Sequence, residues 1–333
     1  MTETQKDRRP RAYPAPEFPP RKPKLFARTP PAIFPAVLGL LALGLALRLG
    51  AQTLGLPSGP IEAVLGGLIG LWAFSLLALL GKVLRRPAVL VEDMKVLPGR
   101  AGLSAATISA MAAASVLVPY APKVALTLVV LALAAHAGIA VLHGVIVARM
   151  PAEARVLNPS MHLAFVGFIV GGVPLAQMGY AEAARGILWV TMPVAGLIWA
   201  VSLVQLVRRI PPAPLRPMLA IHLAPAALFS SVAGLTGQAA LAGAFAIWAS
   251  LLALALIAAA RWISVAGFSA LWAAFTFPLA AYATALLSLG GLWVWPGLGV
   301  LALATAAVPV IAWKVLRLWP GNKLAAKSNA AEA

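Results

Sequence analysis

The chain contains no cysteine. That absence excludes a disulfide framework, a thiolate metal site and a cysteine nucleophile. Acidic residues are also scarce, with Asp and Glu totalling 9 against 26 Lys and Arg in 333 residues. Glu3, Asp7, Glu17, Glu62, Glu92, Asp93, Glu153, Glu182 and Glu332 all lie outside the middle of any long apolar run. A charge at mid-membrane costs at least about 2.5 kcal/mol and usually marks a transport path. A carboxylate proton relay and a carboxylate-lined cation path are therefore not expected. No nucleotide-binding glycine loop, HExxH or nucleophile with a partner base occurs, so neither enzyme chemistry nor a metal or cofactor is expected. Short alternating strands are missing too, which excludes a membrane barrel.

Apolar surface is what the chain has in abundance. Its residues are 62% apolar and its mean hydropathy is +0.92, values of an integral membrane protein. Ten stretches are long enough to cross the hydrocarbon core: roughly 32–54, 61–81, 103–120, 124–148, 160–179, 182–206, 216–236, 239–260, 267–289 and 294–316. Backbone groups in lipid must be bonded within their own segment, so these stretches are read as helices. All Lys and Arg except Arg48, Lys123 and Arg185 fall in the first thirty residues, in alternate loops or at the end of the chain. That asymmetry places both termini in the cytoplasm and accounts for the basic excess without a nucleic-acid partner. Residues 1–29, rich in proline and basic side chains and lacking periodicity, read as a disordered cytoplasmic tail. A secretory signal peptide is not expected, because the first apolar run is too long and no small-x-small cleavage site follows it. Residues 30–318 form the membrane domain, and 319–333 a cytoplasmic C-terminal tail.

The connections alternate between short outer ones and longer, basic inner ones, a rhythm that predicts five helical hairpins. Pro35, Pro174, Pro225 and Pro278 fall in four of the five odd-numbered stretches, and the third is rich in small and hydroxylated residues, including Ser104 and Thr107. Pro193 and Pro309 occur in even-numbered stretches, so the asymmetry is partial. A proline in a membrane helix is tolerated where the freed carbonyls face protein or a wet cavity. The odd helices are therefore expected to be kinked and to surround a central path, with the even ones outside. Helix ends at such breaks, hydroxyls and basic mouths suit an anion better than a cation.

The ninth stretch, Phe268–Gly290, carries the strongest pattern. At helical spacing its large side chains make one stripe, and Ser269, Ala273, Ala280, Ala281, Thr284 and Ser288 another. Phe277, just before Pro278, is the bulky exception on the small stripe. It reads as a plug in a narrow path; the pattern alone fits a packing knob equally well. Small, hydroxylated or kinked positions expected along the path are Pro35, Gly39, Ser104, Thr107, Gly167, Gly171, Pro174, Pro225, Ser230, Ala273, Pro278, Ala281 and Thr284. Gly167 and Gly171 also form a GxxxG pair, which means close packing or a widened path. Arg48, near the outer end of the first stretch, is expected to snorkel to the interface, with attraction of anions as a sharper reading for it and for Arg100. His136 and His143 share a face of the fourth stretch, His162 opens the fifth, and His222 precedes Pro225 by one turn. Hydrogen bonding between helices is the default reading for them; bis-histidine haem ligation is the alternative.

These motifs resemble the tellurite-resistance/dicarboxylate transporter family, which includes bacterial TehA-type proteins and the slow anion channels of plant guard cells. The resemblance rests on Phe268-Ser269, Trp272 and Phe275-Thr276-Phe277-Pro278 in the ninth stretch. It rests also on Asn158-Pro159-Ser160-Met161-His162-Leu163 with Gly167 and Gly171 in the fifth, on Leu223-Ala224-Pro225, and on Pro30, Phe34, Gly39 and Arg48. It covers about residues 26–318. It implies a pore within five hairpins, occluded at Phe277, in a homotrimer of the bacterial inner membrane. The expected permeants are small inorganic or organic anions: chloride, nitrate, tellurite or small carboxylates. Proton-coupled export of C4-dicarboxylates or oxyanions is the alternative. Leu97-Pro98-Gly99-Arg100-Ala101-Gly102 keeps the family's Pro and Arg but lacks its His and aromatic rings, which leaves the anion open.

Overall fold

Apolar runs bounded by glycine, proline and basic residues become helices because lipid offers their backbone no other partner. In the computed structural model, which describes residues 24–151 and 155–333, the order is α1 (Phe34–Leu54), α2 (Gly59–Arg85), α3 (Val89–Lys95), α4 (Leu97–Leu117) and α5 (Pro122–Ala148). There follow α6 (Ile169–Gln177), α7 (Ala181–Arg208), α8 (Leu223–Leu235), α9 (Ala239–Ala258), α10 (Ala260–Ser264), α11 (Thr276–Leu289), α12 (Val294–Leu316) and α13 (Lys323–Ser328). No strand occurs among the described residues. Nine helical runs there are long and apolar enough to cross a membrane. The expected fifth span is the exception. It is a shorter run, His162–Gln177, whose first part is π-helical and which is interrupted by a turn at residues 167–168.

The helices divide into an inner and an outer set, as the proline asymmetry suggested. In the most apolar window of the runs containing α1, α4, α8 and α11, 61–78% of residues are buried; in α2, α5, α7, α9 and the run containing α12 only 17–28% are. The outer helices turn Leu77, Leu84, Val141, Val190, Leu254 and Trp313 outward, which is the surface a lipid phase accepts.

The prolines act differently from simple mid-helix kinks. Pro35, Pro225 and Pro278 lie in the first turn of α1, α8 and α11 respectively. Proline, which lacks an N–H and holds φ near −65°, is best tolerated in the first turn of an α-helix. Each of those helices continues from a tighter 3-10 segment: Pro31–Ile33, Ala213–His222 and Ala270–Phe275. Only Pro174 of the four sits within its helix, α6. Three hairpin connections at the opposite end share one device. Gly55, Gly179 and Gly237 all have positive φ, and the following amide reaches back five residues, Leu56 to Ala51 O, Tyr180 to Leu175 O and Gln238 to Ala233 O, at 2.8–2.9 Å. This is the Schellman termination, in which glycine avoids the Cβ clash of the left-handed conformation.

Both ends of the chain meet on one face. The tail expected to be disordered falls mostly on residues 1–23, outside the described residues; from Lys24 onward the chain packs, with Ala27 and Thr29 buried. Residues 319–333 fold back, burying Leu324, Ala325 and Ser328 of α13. The Ala333 amide donates to Ala27 O at 3.0 Å, and Arg28 pairs with Glu332 at 2.6 Å. Beneath them lies a fully buried ion pair, Lys82 Nζ to Asp93 Oδ2 at 2.7 Å. Lys82 also donates to Thr29 O, and Asp93 Oδ1 accepts the Ala331 amide at 2.8 Å. The pair thus ties α2 and α3 to both ends of the chain.

Candidate functional site

The inner segments converge on a cavity of about 390 Å³ that opens on the face where the ends meet. Each contributes wall: Pro35 and Leu38 from α1, Ala101 and Ala105 from α4, Leu163 ahead of α6, Ile221 and Ala224 around the start of α8, and Phe277 with Pro278 from α11. The wall is apolar because small and aliphatic side chains fill it. Among the described residues that line it, the polar side chains are Ser269, Lys327 and Ser328, and none is a carboxylate.

A second space of about 20 Å³, room for about one water molecule, lies beyond. Its wall includes Ile108, His162, Gly167, Pro225 and Leu228. Leu163, Ile221, Ala224 and Phe277 border both spaces. Phe277 is the one aromatic ring among these four, and it is buried. Its backbone is held from two sides. Thr276 Oγ1 lies 2.7 Å from Ala273 O and 3.2 Å from Pro35 O. On α1, a Cβ added to Gly39 would fall 2.1 Å from Thr276 Oγ1 and 3.1 Å from the Phe277 amide nitrogen. Glycine there is what lets α1 approach the break so closely.

Two histidines that look unrelated in sequence meet beside the smaller space. His162 Nε2 and His222 Nδ1 are 3.0 Å apart, the rings edge to face. Trp199 Nε1 donates to His222 O at 3.2 Å. His222 immediately precedes α8, and His162 opens the π-helical segment that leads into α6. The sequence places each histidine at the opening of an irregular stretch but carries no sign that the two meet. The direct contact leaves no space for an iron between these two rings, so this pair does not fit bis-histidine haem ligation. No cluster of three metal-ligating side chains occurs among the described residues. Thr107 Oγ1 lies 2.7 Å from His136 Nδ1, and His143 packs against Phe165.

The other sequence candidates sort by what they touch. Pro35, Ala273 and Pro278 border the larger cavity, and Gly167 and Pro225 the smaller. Thr107, Gly171 and Ser230 face outer helices instead: Thr107 meets His136, a Cβ on Gly171 would meet Leu133 of α5, and Ser230 donates to Ala242 O of α9 at 2.9 Å. Thr284 donates to Ala280 O within its own helix. Ser104, Pro174 and Ala281 are buried, and none of them is among the residues lining either space. Arg48 does not snorkel. It is 8% exposed and grips Glu62 with two hydrogen bonds of 2.6 and 2.7 Å, while also donating to Val116 O. Its charge is matched locally, since a nearby carboxylate is the less costly partner for a guanidinium at the end of a span. Arg100 is half-buried near Met150 Sδ and has no carboxylate partner among the described residues.

Fold and site together define a multi-pass helical membrane protein whose inner helices wall an apolar cavity. The family model described as the voltage-dependent anion channel, SLAC1, matches residues 28–318. The chain therefore belongs to that family, the one its Phe268–Pro278 and Asn158–Gly171 motifs resemble. A search of curated proteins gives no match.

Proposed function

We propose that the protein is an anion channel, or a channel-like transporter, passing small anions such as chloride, nitrate, tellurite or small carboxylates along a path closed at Phe277. The observation that carries this reading is the position of Phe277, which borders both the vestibule and the small space beyond it. Walls without carboxylates suit anions, and α8 and α11 begin beside the constriction, where their amino-terminal partial charge is positive. The path runs between five hairpins with the basic face in the cytoplasm of a bacterial inner membrane. Contact between the two chain ends requires an even number of crossings, which supports counting the broken run His162–Gln177 as the tenth. The family resemblance supports a homotrimer with one path per subunit.

Removing the ring tests the path. Phe277→Ala is expected to raise anion conductance in planar bilayers at least several-fold, with a reversal potential that follows the anion gradient. Unchanged current would take the ring out of this role. The His162–His222 contact beside the constriction favours one second reading, a proton-coupled exporter of C4-dicarboxylates or oxyanions. In that case the reversal potential of the same variant would shift with an imposed pH gradient.

A further inference from the structure

The vestibule wall is almost devoid of charge, and the exception comes from outside the inner helices. Lys327 lines the cavity from α13, beside Ser328. It is exposed, and no carboxylate pairs with it among the described residues. Its neighbours on that segment are anchored. Leu324, Ala325 and Ser328 are buried, the Ala331 amide is held by Asp93, and Glu332 pairs with Arg28. Arg86 adds a hydrogen bond to Glu332 O at 2.5 Å. The fold therefore fixes the backbone on both sides of Lys327 while leaving its ammonium group free at the mouth.

We propose that residues 323–333 form part of the permeation path, and that Lys327 is the residue that concentrates small anions at the mouth of the vestibule. The ligand class is a small monovalent or divalent anion held by long-range attraction rather than by a tight site. The inference rests on the reading of the vestibule as an anion path. A single cation at a low-dielectric mouth raises the local concentration of counter-ions and hence their rate of entry. It acts on anions entering from its own side, so it makes current rectify. It also fades as salt rises, because the Debye length shortens from about 30 Å at 0.01 M to about 3 Å at 1 M.

The test uses the full chain in planar bilayers with Phe277→Ala present to hold the path open. In 10 mM chloride, Lys327→Glu is expected to lower current carried by chloride entering from the vestibule side roughly threefold, and current in the other direction much less. Lys327→Arg should leave both unchanged, and 1 M chloride should abolish the difference. The exposed position predicts normal folding, checked by an unchanged elution volume. If Phe277→Ala conducts anions but Lys327→Glu leaves rectification unaltered at low salt, the role of Lys327 is wrong and the channel reading survives. Loss that persists equally at 1 M chloride would also overturn it, because screening would then be irrelevant. If Phe277→Ala passes no anion current, the channel reading and the role of Lys327 both fall.

Discussion

At the scale of single residues, Lys82 and Asp93 show how context decides the meaning of a charge. Both look like ordinary members of a basic loop in the sequence, yet their side chains are 0% and 1% exposed. Removing one partner leaves the other charged and desolvated, which typically costs 3–5 kcal/mol, whereas an apolar pair of similar volume is often neutral. Lys82→Met is therefore expected to lower the thermal unfolding temperature in detergent sharply, and adding Asp93→Leu should recover much of the loss. The recovery is incomplete because Asp93 also accepts the Ala331 amide. Arg48 is a parallel case. Its place near the end of a span was legible, but its partner was not, because Glu62 lies across a hairpin turn and a linear reading pairs neighbours rather than faces. Phe277 stood out in the sequence because it broke a stripe of small residues; the structure does not keep that stripe as one α-helical face, since Ser269 is extended and Ala270–Phe275 is a 3-10 segment.

At the scale of helices, periodicity revealed where apolar segments run but not what kind of helix each turn makes. A 3-10 turn and an α turn bury similar side chains, so the passage from Ala270–Phe275 into α11 is invisible in hydrophobicity alone. Prolines mark such passages, and their first-turn location explains why Pro35, Pro225 and Pro278 cost so little. The same limit misdirected Thr107, Gly171 and Ser230, since an inner helix also has a face that meets the outer ring. Close helix contact can be tested directly. Gly39→Ala places a methyl against Thr276 and is expected to destabilise by about 1–3 kcal/mol. Gly66→Ala on α2, where a Cβ meets nothing within 4 Å, is the control and should be neutral or stabilising by up to about 1 kcal/mol. Thermal unfolding of the two variants side by side checks both.

For the whole molecule, composition was enough to indicate a helical membrane bundle, and the alternation of proline-rich and plain stretches anticipated which helices lie inside. The docking of residues 323–333 was not legible. It depends on Asp93 meeting an amide 238 positions away, and backbone donors carry no signature in a sequence. The sidedness proposed for the bundle is open to a simple experiment, because the chain offers a background free of cysteine. In intact cells an impermeant maleimide is expected to label Thr53→Cys, while Lys323→Cys reacts only after permeabilisation. The reverse pattern would place the vestibule outside. The turn that carries Phe277 is pinned, with Thr276 tied to Pro35 and Gly39 closing the gap behind it. On the function proposed above, a path would therefore open through the buried ring and the side chains packed on it, not through a shift of the backbone beneath.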